Sequence, residues 1–315
     1  MFVSERLVAA ADLGAALGDC IEDPDSFVTA TIAGLEGLAD AIYQVEQERV
    51  APGSGATIGV RWPLLHALER GLRPALRESS SSSVLWLAQR LSRAEPREVR
   101  LLALPCLARV LPEDPERAWQ LLRRIAHASR DWISVDALAA VYAQGVLAEP
   151  FRWAELEQLV YSSQRMERRL VGSTLACLPH GLPRARRGGL EVAPALRLIE
   201  ALLGDADDQV QKALSWALRE WSRVDQPAVA QLLLREARLA KATQDGNRAW
   251  VLRDALAHQP PEVAQQVRAL STGLRRRTGG PSTSRSAQVA AAFGLAALSS
   301  GAVARQGDRF GGRGA

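Results

Sequence analysis

From about residue 82 to residue 259 the chain is a series of helix-length segments, each of about 12–18 residues, in which apolar side chains recur at spacings of three and four. That spacing puts them on one face of a helix, and the alternation that would make strands is scarce. Breaks fall at Pro52-Gly53-Ser54-Gly55, the Ser79–Ser83 run, Pro112 to Pro115, Pro150, Pro183 to Gly189 and Pro260-Pro261. The segments pair as 82–93 with 95–110, 114–129 with 131–146, 152–162 with 164–179, 190–204 with 206–222, and 225–241 with 247–259. Second helices start near 95, 131, 164, 206 and 247, a step of roughly 33 to 42 residues that suits two-helix repeats. The expected fold is all-α: a helical-repeat solenoid, a superhelix whose second helices line a concave, basic face. An irregular helical bundle is the alternative. The expected domain is 1–271. Residues 272–315, rich in Arg, Gly, Ser and Ala, read as a flexible, disordered tail with at most a short helix near 286–298.

Charge adds to the pattern. The 315 residues carry a net charge of +4, but residues 1–50 hold ten acids and two arginines, a net of −8. The tail holds seven arginines and one aspartate. Lysine occurs only at Lys212 and Lys241, so the basic side chains are almost all arginine, whose planar fork suits phosphate. Cys20, Cys106 and Cys177 are far apart and lack zinc-ligand spacing, so neither a metal site nor a disulfide framework is expected. The N-terminus does not read as a signal peptide, and the Ala/Gly/Ser-rich stretch 287–304 has too few large apolar residues for a membrane span. No phosphate-binding Gly loop, GxSxG or HExxH occurs, and His66, His127, His180 and His258 lie in unrelated segments. No cofactor is expected.

Three segments stand out. In Arg130-Asp131-Trp132-Ile133-Ser134-Val135-Asp136, a helix capped by Asp131 or Ser129 sets Trp132 and Asp136 at i and i+4, on one face. The ordinary alternative is a core indole and a solvated carboxylate. In Asp207 to Trp221, Lys212, Trp216 and Arg219 form a cation–aromatic–cation stripe opposite Leu214, Ala217, Leu218 and Trp221. Such a stripe is usually a solvated face with a partly buried Trp. Gln164-Arg165-Met166-Glu167-Arg168-Arg169 and the loop carrying Arg184, Arg186 and Arg187 are arginine-dense, which suggests anion contacts or merely solvated surface. Trp132, Asp136, Arg169 and Trp216 all fall on second helices of consecutive repeats. In a solenoid they would share its concave face, an arrangement able to hold a phosphate backbone and stabilise a nearby cation.

At this point the sequence resembles a known family, the HEAT-repeat DNA alkylation-repair glycosylases (AlkD-like). Gln211-Lys212-Ala213-Leu214-Ser215-Trp216-Ala217-Leu218-Arg219-Glu220 is similar to its QKAxxWxLRE helix. Trp132 to Asp136 resembles its WxxxD helix, Arg168-Arg169 its catalytic-arginine segment, and Gly59-Val60-Arg61-Trp62-Pro63 its GVRxP segment. The resemblance spans about residues 55–258.

The resemblance implies hydrolysis of the N-glycosidic bond of N3- and N7-alkylated purines in double-stranded DNA, without enclosing the base in a tight pocket. It implies that Asp136 is the catalytic carboxylate, that Trp132 and Trp216 lie against the deoxyribose, and that Arg169 holds a phosphate. Arg165, Arg168, Lys212, Arg219, Arg184, Arg186 and Arg187 are then expected DNA contacts. The expected protein is a metal-free, monofunctional, cytoplasmic and nucleoid-associated monomer. A non-catalytic DNA-binding solenoid and a protein-interaction scaffold are the alternatives.

Overall fold

The computed structural model describes residues 3–276 and 279–293. Among them there is no strand; the protein is all-α, as the periodicity predicts. The chain divides into two compact units, Met1–Arg152 and Trp153–Ala315, where the sequence suggested a single domain over 1–271.

The first unit contains α1 (Val3–Leu17), α2 (Pro24–Glu36), α3 (Ala41–Val50), α4 (Trp62–Glu78), α5 (Ser81–Leu91), α6 (Arg97–Leu101), α7 (Ala103–Val110), α8 (Pro115–Ala128) and α9 (Trp132–Ala148). The acidic first fifty residues are part of this unit. Helix α1 packs along α4 through glycines: a Cβ at Gly14 would collide with the Leu68 carbonyl, and one at Gly71 with the Ala11 carbonyl. Two of the head's carboxylates meet arginines of the body, Asp40 with Arg61 at 2.8 Å and Asp25 with Arg90 at 2.5 Å.

The expected helix 95–110 is broken at Leu102 into α6 and α7. Pro105 has no N–H to offer the Leu101 carbonyl, so the ladder is interrupted there. Buried Glu98 on α6 accepts from the Thr57 hydroxyl (2.7 Å) and from the backbone N–H groups of Ile58 (3.1 Å), Gly59 (2.8 Å) and Val60 (3.3 Å). Gly59 has φ +87°, and a Cβ there would lie 2.8 Å from the Asp40 carbonyl. Glycine is required by both conformation and space. This caged turn sets where α4 starts, and therefore where Trp62 sits.

The second unit contains α10 (Trp153–Leu159), α11 (Arg165–His180), α12 (Val192–Leu202), α13 (Asp208–Trp221), α14 (Gln226–Thr243), α15 (Gly246–Asp254), α16 (Pro261–Leu270) and α17 (285–293). Helices α11 and α13 pack closely: a Cβ at Gly172 would come within 2.9 Å of the Ala213 Cβ. The indole N–H of buried Trp221 donates to the Leu175 carbonyl at 2.9 Å and pins the two together. The expected helix 247–259 stops at Asp254, where the chain turns ahead of Pro260-Pro261.

The expectation of a disordered tail from residue 272 needs correction in its described part. Leu274 is buried with Ala240 and Ala249. Thr283 donates its N–H to the Gly204 carbonyl at 3.0 Å, and its hydroxyl bonds Asp245. Ser284 and Ser286 are fully buried. The rest of that expectation, residues 294–315 and with them the end of the short helix expected near 286–298, lies outside the described residues. No helix among the described residues is long and apolar enough to cross a membrane.

Candidate functional site

In the first unit the site grows from two helix starts. Asp131 caps α9, accepting from the N–H of Ser134 at 2.9 Å and from its hydroxyl at 2.7 Å. The cap makes Trp132 and Asp136 the first and fifth residues of α9, on one face. Ile133, Leu138 and Val141 turn inward and are buried. Trp132 is half-buried, and its indole N–H donates to the carbonyl of Val50, at the end of α3, at 3.1 Å. The ring is thus held from outside its own helix.

Helix α4 opens with Trp62 and Pro63, a proline placed where no intrahelical N–H is needed. Trp62 and His66, again i and i+4, stack with ring centroids 5.6 Å apart. His66 Nδ1 lies 3.3 Å from Glu69 Oε2. Helix α7 packs against both α4 and α9, so these two helices flank it. The result is an open cavity of about 370 Å³. Trp62, His66 and Glu69 line it from α4, and Trp132 and Asp136 from α9, over the apolar side chains of Leu104, Pro105 and Ala108. Glu69, Pro105 and Ala108 also line a neighbouring depression with Arg73, Arg77 and Arg109. The geometry gathers aromatic faces, two carboxylates and, next to them, arginines. Such a set can hold a planar cation and stabilise positive charge as it develops.

In the second unit Asp207 caps α13, accepting from Gln209 N–H at 2.9 Å and Val210 N–H at 3.3 Å. Trp216 is half-buried, and His180 approaches it edge-on at 6.3 Å. Arg169 is buried, and its Nη1 donates to the Gln209 carbonyl at 2.5 Å. The cationic stripe carries its own counter-charges: Lys212 lies 3.3 Å from Asp208, and Arg219 2.7 Å from Asp254. Arg165 stands 3.5 Å from Asp207 and is exposed. Arg168 is turned inward, pairing with buried Asp205 at 2.7 Å and donating to the Ser162 and Ser163 carbonyls. Arg184 and Arg186 are exposed on a short 3₁₀ turn (Arg184–Gly189), and Arg187 Nε donates to the Leu182 carbonyl at 3.1 Å.

The structure therefore brings Trp132 and Asp136 together in the first unit. In the second, Arg165, Arg168 and Arg169 on α11 accompany Lys212, Trp216 and Arg219 on α13. Sequence reasoning missed Trp62, His66 and Glu69 as cavity walls. The repeated i, i+4 spacing of Trp62/His66 and Trp132/Asp136 was the available signal. It also missed Asp205 and Asp254 as partners of the arginines, because those pairings span 37 and 35 residues.

Comparison with known proteins gives a consistent result. No curated protein matches the chain by sequence. Among solved structures, a protein described as a predicted DNA alkylation repair enzyme from Enterococcus faecalis shares the fold, with a TM-score of 0.51 and 15% identity, over 62% of this chain and 88% of that one. A sequence model of the DNA alkylation repair enzymes matches residues 31–259, a range that takes in part of the acidic head as well as the segments carrying Trp132, Asp136, Arg169 and Trp216. That match covers most of the chain, which thus belongs to the DNA alkylation repair enzyme family.

Proposed function

We propose that the chain is a monofunctional DNA glycosylase that hydrolyses the N-glycosidic bond of N3- and N7-alkylated purines in double-stranded DNA. The observation that carries this reading is the Trp132–Asp136 pair, held by the Asp131 cap and the Val50 carbonyl in an open, aromatic-lined cavity.

Alkylation leaves the purine cationic, so it departs with the bonding electron pair and needs no strong general acid. The demand shifts to the deoxyribose, which gains oxocarbenium character. Asp136 supplies a fixed negative charge to that sugar and orients the attacking water, which adds at C1′ and gives up a proton. Trp132 lies against the sugar, where an aromatic face favours developing positive charge. Trp216 is read in the same role. Arg169, fixed by the Gln209 carbonyl, is read as the phosphate clamp beside the lesion. Lys212, Arg219, Arg165 and the arginines of the 184–187 turn are read as backbone contacts, whereas Arg168 is read as structural because Asp205 occupies it. A lyase would need an amine for a Schiff base. Among the described residues no lysine lines the cavity of Trp132 and Asp136, so hydrolysis by water is the reading favoured. The two-helix periodicity supports a HEAT-like repeat fold, and we take the protein to act as a cytoplasmic, nucleoid-associated monomer without cofactor.

The test is base release from duplex DNA carrying N7-methylguanine. Release above the spontaneous rate is expected, and its absence would refute the reading. Asp136→Asn is expected to lower the single-turnover rate about 100-fold or more while DNA affinity persists. Equal loss of both would assign Asp136 to folding or binding instead.

A further inference from the structure

Helix α13 carries Trp216, and its first turn supplies the Gln209 carbonyl that fixes Arg169. The placement of both depends on the turn just before it, residues 203–205. Three consecutive carbonyls of that turn are each taken by a donor. Leu203 O accepts from Arg248 Nη2 at 3.1 Å. Gly204 O accepts from the Thr283 N–H at 3.0 Å, and from the Thr283 and Ser282 hydroxyls at 3.2 and 3.3 Å. Asp205 O accepts from Nε2 of buried Gln211 at 2.7 Å. The Asp207 cap already starts α13, so these bonds fix where the turn sits rather than whether a helix forms.

Every one of those donors leads to the chain beyond α16. Thr283 and Ser282 belong to it. The Thr283 hydroxyl also bonds the Asp245 carboxylate, which pairs with Arg248 at 3.2 Å. Oε1 of Gln211 accepts from Arg276 Nη1 at 3.2 Å, and the Arg276 guanidinium lies over the Trp250 ring at 4.3 Å. Two glycines make room for this approach. A Cβ at Gly204, where φ is +93°, would collide with the Thr283 hydroxyl, and one at Gly246 would collide with the Arg275 carbonyl. From the other side, the Asp205 carboxylate holds Arg168 of α11, the neighbour of Arg169. The turn is pinned between α11 and the C-terminal residues.

We propose, resting on the reading of Arg169 as a phosphate clamp, that Arg276 and Thr283 are positioning residues for that clamp. They hold the 203–205 turn, the turn places Gln209, and the Gln209 carbonyl aims the Arg169 guanidinium. A charge-assisted contact of this kind depends on direction, and a shift of about 1 Å in its support is enough to weaken it. Both residues lie beyond position 259, where the family match ends.

The test measures the affinity of the full chain, over a range of salt, for a duplex carrying 2′-fluoro-N7-methyl-deoxyguanosine, in which fluorine opposes oxocarbenium formation and leaves the base uncleaved. Loss of one phosphate contact lowers the slope of log affinity against log salt by about one. Arg169→Gln and Arg276→Met are each expected to lower it by about one, and the double variant by no more, because both remove the same contact. A loss of about two in the double variant means that Arg276 meets DNA itself and overturns the proposal. An unchanged slope in Arg276→Met overturns it too, and so does an unchanged slope in Arg169→Gln. Thr283→Val carries no change of charge, so a lower slope there arises only through another residue, and Thr283→Ser should restore it. A wild-type slope in Thr283→Val overturns the part given to Thr283. Thermal melts establish that each variant is folded, and should Arg276→Met fail to fold, the Thr283 pair decides. Nothing is cleaved, so the outcome is separate from that of the base-release assay. Coupling of Arg276 to Arg169 without base release sinks the glycosylase reading alone, and base release without that coupling sinks the positioning role alone.

Discussion

Single side chains hold this protein's site through contacts far away in sequence. Glu98 shows the balance most clearly. Burial opposes its ionised form, but the Thr57 hydroxyl and the N–H groups of Ile58 and Gly59 outweigh burial and hold its carboxyl below the ordinary 4.5. A carboxyl whose pKa is lower in the folded state stabilises the fold fully above about 4.5. That stabilisation is lost as pH falls through the folded value beneath it. The expected result is a melting temperature that declines on acidification below that point. In Glu98→Gln it should be lower at neutral pH and decline less steeply. A variant with the wild-type acid profile would show that Glu98 does not govern it. Nothing local marks Glu98 as buried: it reads as a helix-start glutamate. Asp131, by contrast, was legible as one of two cap candidates, because a cap contacts only its own first turn.

Between elements, glycine sets the spacing. Replacing a helical glycine by alanine ordinarily stabilises by up to about 1 kcal/mol. At Gly71 the new Cβ would strike the Ala11 carbonyl of α1, a backbone atom that cannot move without shifting the helix. Overpacking of this kind costs about 1–3 kcal/mol and should win. Gly71→Ala is therefore expected to lower the denaturation midpoint, whereas Gly188→Ala, whose Cβ meets nothing within 4 Å, should change it little. Equal effects would mean that α1 yields to the added methyl. The helices themselves were readable, since the three-and-four spacing is local. The break at Leu102 follows from Pro105, but the helical period ran through it and hid it.

On the scale of the whole chain, the described residues beyond Ser271, 272–276 and 279–293, are part of the second unit's architecture. Arg276 lies over the Trp250 ring at 4.3 Å and donates to Gln211 Oε1 at 3.2 Å. Leu274 completes a buried cluster, and Thr283 bonds Asp245, which also holds Arg248. A chain ending at Ser271 should lose about 2–4 kcal/mol of stability, several degrees in melting temperature. An unchanged melt would mean that these contacts do not contribute. The same variant shows whether the basic residues beyond 271 contribute to DNA affinity, through the slope of affinity against salt.

The sequence by itself determined the helical class, the breaks at the Pro and Gly clusters and the candidates Trp132, Asp136, Arg169 and Trp216. Each of these depends on periodicity or on short spacings that a helix converts directly into a face. The tertiary structure decided the division at Arg152, the docking of Thr283 and Arg276, and the inward turn of Arg168 onto Asp205. It also brought Trp62 and Trp132 to one cavity from helices that start seventy residues apart. The physical reason is the range of the forces involved. A helix is specified within a few residues, whereas a cavity wall, a buried ion pair or a docked segment depends on which distant surfaces exclude water together.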